Sequence, residues 1–151
     1  MSDIKFRKAR RTDVQAIVQL LANDQFGVSR EDVDHPEKYA SAFEITENDR
    51  NQELIVVENA NAEIIGTFQL TYIQYLTHVG SLRVLVEAVR VRSDQRGKGV
   101  GEQMFRWAIQ RAKEKGANMV QLTSDKRRHN AIRFYEMLGF VASHEGFKLA
   151  L

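Results

Sequence analysis

The sequence has 151 residues, 43% of them hydrophobic and 28% charged, with a formal net charge of +2 and no cysteine. That balance suits one ordinary globular domain, residues 1–151, with a real core, and the missing thiols exclude disulfides, thiolate metal sites and a cysteine nucleophile. No apolar run reaches the length of a membrane span and Met1-Ser2-Asp3-Ile4-Lys5 offers no apolar signal core, so no membrane partner and a cytoplasmic location are expected.

Residues 4–9 read as a short strand with Ile4 and Phe6 apolar. Thr12-x-x-Gln15 has the form of a capping box, and Val14, Ile17, Val18 and Leu21 follow at helical spacing, predicting a first helix to about Asn23. A polar loop leads to Pro36, suited to a first helical position, and to a second helix with Tyr39, Ala42, Phe43 and Thr46 on one face. Residues 54–58 and 64–73 predict a hairpin around 59–62, and 82–91 a third antiparallel neighbour. A third helix starts near Val100, carries Met104, Phe105, Ala108, Ile109 and Ala112, and ends at Gly116. A crossover makes the short strand at 119–123 parallel to its predecessor. A fourth helix spans about 129–138, and residues 140–143 and 147–149 are expected to form a closing hairpin around Glu145-Gly146. The fold class is mixed α/β, with a mostly antiparallel sheet and about four helices.

The chemistry concentrates between strand and helix, in Val89-Arg90-Val91-Arg92-Ser93-Asp94-Gln95-Arg96-Gly97-Lys98-Gly99-Val100-Gly101. Glycines let amides converge on one concavity, and a helix N-terminus adds partial positive charge. Arg96 and Lys98 add full charges, so the turn suits a phosphate. A dinucleotide fingerprint would need glycine where Glu102 stands, and a P-loop would need Ser or Thr where Gly99 stands.

Arg96-x-x-Gly99-x-Gly101 in this setting resembles the acetyl-CoA pyrophosphate loop of the GNAT superfamily of N-acetyltransferases. Phe134-Tyr135-Glu136-Met137-Leu138-Gly139-Phe140, with Ala131 three residues ahead of Phe134, resembles that superfamily's closing signature, and the element order agrees from end to end. One position departs from the pattern: Arg128 stands where the family often has asparagine, with Asn130 beside the alanine instead. Residues 123–151, with Arg128, Arg133-Phe134-Tyr135 and Ser143-His144, are similar to the aminoalkylphosphonate acetyltransferase branch and equally to bacterial relatives of generic label.

The resemblance implies a fourth strand splayed by a bulge. It also implies acetyl-CoA as co-substrate, its pantetheine arm on the backbone of Val89 and Val91 and its pyrophosphate on Arg96, Gly97, Lys98, Gly99, Val100 and Gly101. Asn130 and Phe134 are further cofactor-binding candidates. Tyr135 is the candidate general acid: a phenol of pKa about 10 is protonated at neutral pH and can supply a thiolate whose thiol has pKa about 8.5. Glu87 is the candidate base, because a carboxylate interrupting Val84-Leu85-Val86-Ala88-Val89 would have its pKa raised by burial.

His78, His129 and His144 have no metal-ligand spacing, so no metal is expected. Residues 90–133 hold 12 Lys and Arg against 4 Asp and Glu, whereas 24–58 hold ten acidic and three basic side chains. Such a field would draw coenzyme A to one side and a cationic small amine to the other, with an aminoalkylphosphonate as the competing acceptor. A non-catalytic acyl-CoA-binding regulatory module and a nucleic-acid binder are the alternatives. The basic block lacks interleaved exposed aromatics for the latter, so no nucleic-acid partner is expected, while pairing as a homodimer is admitted.

Overall fold

The computed structural model describes residues 3–151. The chain divides into two units, Met1–Gln121 and Leu122–Leu151.

The first unit is built on strands β1 (Lys5–Lys8), β2 (Gln52–Glu58), β3 (Ile64–Gln74), β4 (Leu82–Val91) and β5 (Met119–Gln121), in that spatial order. The first four pair antiparallel, and β5 lies parallel to β4. Its helices are α1 (Val14–Ala22), α2 (Ala40–Asn48) and α3 (Val100–Glu114). Because side chains alternate along a strand, Phe68, Leu70 and Tyr72 of β3 share one face of the sheet. α3 covers it with Met104, Phe105, Ala108 and Ala112, all buried. Phe6 stacks on Trp107 at 5.3 Å and Phe68 meets the same indole edge-on at 5.8 Å, which closes that layer. The opposite face, with Ile65 and Thr67 of β3, receives α1 and α2, whose Ile17, Val18, Leu20 and Phe43 are buried.

The α3 layer also buries a charge. Glu53 of β2 is 3% exposed, and Arg111 grips it with two hydrogen bonds, Nη2 at 2.7 Å and Nε at 3.1 Å. Burial pushes the Glu53 carboxyl up, but the hydrogen bond and charge of Arg111, with Lys115 at 3.6 Å, outweigh it and hold the group below its usual range. The same burial raises the neighbouring Tyr72 phenol.

Two starts differ from the sequence expectation. Thr12 does not cap α1; a 3-10 turn over Arg11–Asp13 comes first, and the Asp13 carboxylate accepts the Arg10 amide at 2.7 Å. Asp13 wins because Arg7 fixes it from two nitrogens, at 2.7 and 3.1 Å, making an ionised acceptor that a hydroxyl cannot match. Pro36 opens a 3-10 turn, Pro36–Tyr39, that runs into α2. Between β3 and β4 the chain turns through Thr77–Gly80 with His78 and Val79 both left-handed, at φ 53° and 60°.

Ahead of α2, Asp32 holds both His35 Nδ1 at 2.9 Å and Lys38 Nζ at 2.5 Å. Lys38 first, then His35, hold the Asp32 carboxyl down to about 2, and Asp32 in return raises the His35 imidazole above its ordinary 6.5. The charged pair therefore contributes fully below the ordinary imidazole value and is lost as pH rises through the raised one. An NMR titration is expected to place the His35 midpoint above 6.5, and Asp32→Asn to bring it back; an unshifted wild-type midpoint would refute the contact.

The second unit, Leu122–Leu151, carries one helix among its described residues, α4 (His129–Met137). Gly139, at φ 93°, turns the chain out of the helix, and the Phe140 amide caps it on the Tyr135 carbonyl at 3.0 Å. The closing hairpin expected at 140–143 and 147–149 is not formed: residues 138–151 carry no strand. A lone two-stranded hairpin is marginal in water, and Val141, Phe147 and Leu149 are left more than four-fifths exposed.

Candidate active site

The fourth strand carries one extra residue. Gln69 faces Glu87 and Thr67 faces Arg90, so Phe68 alone stands opposite Ala88 and Val89. Ala88 absorbs the bulge with a left-handed φ of 53°. The alternation of β4 is thereby reset. Val86 and Val89 both reach the α3 side, where they line a narrow apolar slot with Phe68, Met104, Phe105 and Ala108. Glu87 and Arg90 take the other face.

The bulge also frees an edge. β5 pairs with Arg83, Val84 and Leu85 only. Beyond them β4 has β3 on one side and, among the described residues, no strand on the other. The Arg92 amide donates to Ile65 O at 2.8 Å. Bonded and non-bonded pairs alternate in an antiparallel ladder, so the Val91–Gly66 pair is non-bonded and the Val91 amide and carbonyl point away from β3. The outward carbonyls are engaged by arginines: Arg90 Nη1 donates to Val89 O at 2.9 Å and Arg96 Nε to Val91 O at 3.0 Å. Arg96 Nη2 also reaches Asn23 O at 2.8 Å, and Arg90 Nη2 pairs with Asp24 at 3.1 Å. These two side chains tie the free edge to the end of α1. Sequence reasoning missed this arrangement, although charged residues at 90 and 92 in a valine strand were its signal.

After β4 a 3-10 turn at Ser93–Gln95 leads into the glycine run. Gly97 and Gly99 are left-handed, at φ 73° and 80°, and Gly99 is the residue before α3, with no side-chain cap. The first amides of α3 therefore lack both an intrahelical acceptor and a capping oxygen. A Cβ added at Gly97 or Gly99 would meet nothing within 4 Å, so backbone conformation and not crowding within the chain makes glycine necessary there. Gly101 is not left-handed, and the same argument does not extend to it. Val100 is 1% exposed, a core side chain that leaves only its main chain for a ligand. Lys98 is exposed.

Glu87 corrects one expectation. It is exposed and not buried. Its strand partner Gln69 donates to Gln52 Oε1 at 2.5 Å, and Thr71 donates to the same oxygen at 3.2 Å. The acidic stretch is also less of a field than its count suggests. Asp24, Glu31, Asp32, Glu44, Glu53 and Glu58 are in ion pairs, the first with Arg90 and Glu53 with Arg111 of the basic block.

In the second unit Tyr135 is half-buried between two rings, Phe134 at 5.7 Å and Phe140 at 6.1 Å. Asn130 is exposed in the first turn of α4, and Arg128 precedes the helix. Asp125 accepts from the Arg127 guanidinium at 2.6 and 2.9 Å, which holds its carboxyl far below the usual range. Ser143 Oγ lies 2.7 Å from His144 Nδ1. Among the described residues no group of three or more His, Asp or Glu could hold a metal ion, and no helix is long and apolar enough to cross a membrane.

The profile of the acetyltransferase (GNAT) family matches residues 15–140. The chain belongs to that family. Over 91 residues it is 33% identical to an aminoalkylphosphonate N-acetyltransferase of Salmonella typhimurium, covering 60% of this chain and 58% of that protein. The chain thus spans little more than half the length of that curated relative. Among solved structures it is similar to a transcriptional regulator from Bacillus halodurans, 46% identical with a TM-score of 0.94, covering 99% of this chain and all of the other. A predicted acetyltransferase from Clostridium acetobutylicum, crystallised with acetyl-CoA, shares the fold at 19% identity, with a TM-score of 0.75 over 98% of this chain and 96% of the other. Acetyl-CoA is the acyl donor that this family implies.

Proposed function

We propose that residues 1–151 form a single N-acetyltransferase domain that moves an acetyl group from acetyl-CoA directly to the primary amine of a small molecule, both substrates bound together. The observation that carries this reading is the Ala88 bulge, which opens the β4 edge immediately ahead of a left-handed glycine turn and an uncapped helix. A pyrophosphate fits that turn: the α3 amides are unclaimed by any cap, and Lys98 stands in solvent beside them. The pantetheine arm would run along Val89 and Val91, with Arg90 and Arg96 giving up their carbonyls to it. An amide at the bulge, near Val89, would meet the thioester oxygen as charge develops, an interaction worth about 3 kcal/mol in such sites.

The amine nitrogen attacks the thioester carbon; a C–N bond forms, the C–S bond breaks, and the amine proton is taken up through Glu87. Exposure suits Glu87 to relay that proton through water. Tyr135, by resemblance, protonates the departing sulfur, with Phe134 and Asn130 as contacts to the cofactor. A homodimer belongs to the same proposal, as cover for Val141, Phe147 and Leu149, and so does a cytoplasmic location. The acceptor is a small amine, a polyamine-like molecule or an aminoalkylphosphonate.

The regulator from Bacillus halodurans supports a second reading, an acyl-CoA-binding regulatory module without turnover. Calorimetry with acetyl-CoA, followed by assay of an amine panel, separates the two. Binding with turnover supports the enzyme; binding without turnover supports the module. Affinity is expected to fall with salt. Gly99→Ala should weaken it about tenfold, since a left-handed alanine costs on the order of 1–2 kcal/mol and the turn relaxes away from its phosphate-binding form. Unchanged affinity in a folded Gly99→Ala protein would remove the phosphate assignment.

A further inference from the structure

Five arginines of the first unit are half-buried: Arg7, Arg83, Arg90, Arg92 and Arg111. Four of them hold carboxylates within the chain. Arg7 grips Asp13 and Glu58, Arg90 grips Asp24, Arg92 grips Asp94, and Arg111 grips Glu53. Arg83 is the exception among the described residues. Its guanidinium sits 4.7 Å from the centre of the Tyr75 ring, and its Nη1 makes one long hydrogen bond, 3.4 Å, to Gln121 Oε1. Its Nε is buried and has no acceptor. A guanidinium taken partly out of water without a counter-charge is costly, and a buried donor without an acceptor adds to that cost. The ring beneath and the amide beside it fix the fork in place while leaving its charge unmatched.

The register says what this cation faces. Gln69 opposes Glu87, Thr71 opposes Leu85 and Ile73 opposes Arg83. Arg83, Leu85 and Glu87 therefore project from the same face of β4, beside the Gln52–Gln69–Thr71 hydrogen-bonded group. Leu85 also opposes Gln121 of β5. The Cα atoms of Arg83 and Glu87 are about 13 Å apart along the strand, with Leu85 between them on the same face. A carboxylate and an unmatched guanidinium thus stand on one face of β4, with one residue of that face between them.

We propose that Arg83, steadied by Tyr75 and Gln121, is the specificity-determining residue that takes an anionic group of the acceptor. The acceptor is a short zwitterion: its amine goes to the Glu87 end, and a carboxylate or phosphonate goes to the Arg83 fork. This rests on the acetyltransferase reading for the identity of the second substrate, not for the existence of the anion site. A planar fork with two parallel donors suits either oxyanion.

The test is calorimetry on the full chain with 2-aminoethylphosphonate, β-alanine and ethylamine, for wild type, Arg83→Gln and Arg83→Lys, alongside acetyl-transfer kinetics. Wild type is expected to bind at least one of the two zwitterions clearly better than ethylamine. Arg83→Gln should weaken that binding about 10- to 100-fold, with Arg83→Lys between the two. In kinetics the loss appears in KM for the zwitterion, while acetyl-CoA affinity stays the same, which also certifies the fold of the variant. If wild type prefers ethylamine, or binds no zwitterion, or if Arg83→Lys binds as tightly as wild type, the proposal is overturned. Absence of turnover with every amine, with zwitterion binding still lost on Arg83→Gln, would sink the acetyltransferase reading and leave the anion site standing.

Discussion

Replacing Tyr135 with phenylalanine is expected to lower turnover by a factor of about 10² to 10⁴, the usual range for loss of a positioned general acid. Phenylalanine preserves the ring contacts with Phe134 and Phe140 at 5.7 and 6.1 Å, so the helix should stay folded and acetyl-CoA affinity should hardly change. Only the hydroxyl is lost. Steady-state kinetics paired with acetyl-CoA calorimetry reads the two effects separately. Turnover within about twofold of wild type would mean that water protonates the thiolate and that Tyr135 serves packing alone.

The second large effect is on stability. Arg111→Met leaves Glu53, 3% exposed, without its two-pronged partner. Breaking a buried pair from one side costs about 3–5 kcal/mol, and the 30% exposure of the Arg111 side chain points to the lower end. At roughly 2–4 °C per kcal/mol for a domain of this size, thermal melting should fall by about 6–12 °C. Glu53→Leu in the same chain should recover much of it, because the stranded charge is then gone. Since Arg111 holds the Glu53 carboxyl below its usual range, the wild-type contribution is complete above the ordinary carboxylate pKa. It disappears as pH falls through the lowered folded value. A loss under about 1 kcal/mol would show that the pair contributes little.

Much of the first unit was legible because its sequence is locally consistent. Phe68, Leu70 and Tyr72 keep strict alternation, and Met104, Phe105, Ala108 and Ala112 keep helical spacing, so face and partner follow from period alone. Gly99 and Gly116 mark the bounds of α3 by their left-handed backbone. The misreadings arose where two local signals competed or a partner lay far off in sequence. Thr12 and Asp13 are adjacent capping candidates, and only Arg7 decides between them. Glu87 read as buried because its neighbours are apolar, but it lies on the face of β4 opposite Gln69, where it is exposed. The pairing of Glu53 with Arg111 spans 58 residues, and no local pattern announces it. Phe140 to Leu149 has strand composition without a ladder to complete, and composition alone does not supply one.

The single extra residue at Ala88 acts on the strand as a frameshift acts on a reading frame. Before it, odd-numbered positions of β4 share the Glu87 face; after it, even-numbered positions do. Without that residue Val89 and Val91 would exchange faces with Arg90 and Arg92, placing two guanidinium groups against the apolar helix layer and two valines beside Asp24. The amino acids at 89–92 are therefore meaningful only in their shifted phase. An alignment of relatives that places a gap anywhere else in this strand would transpose its inside and its outside.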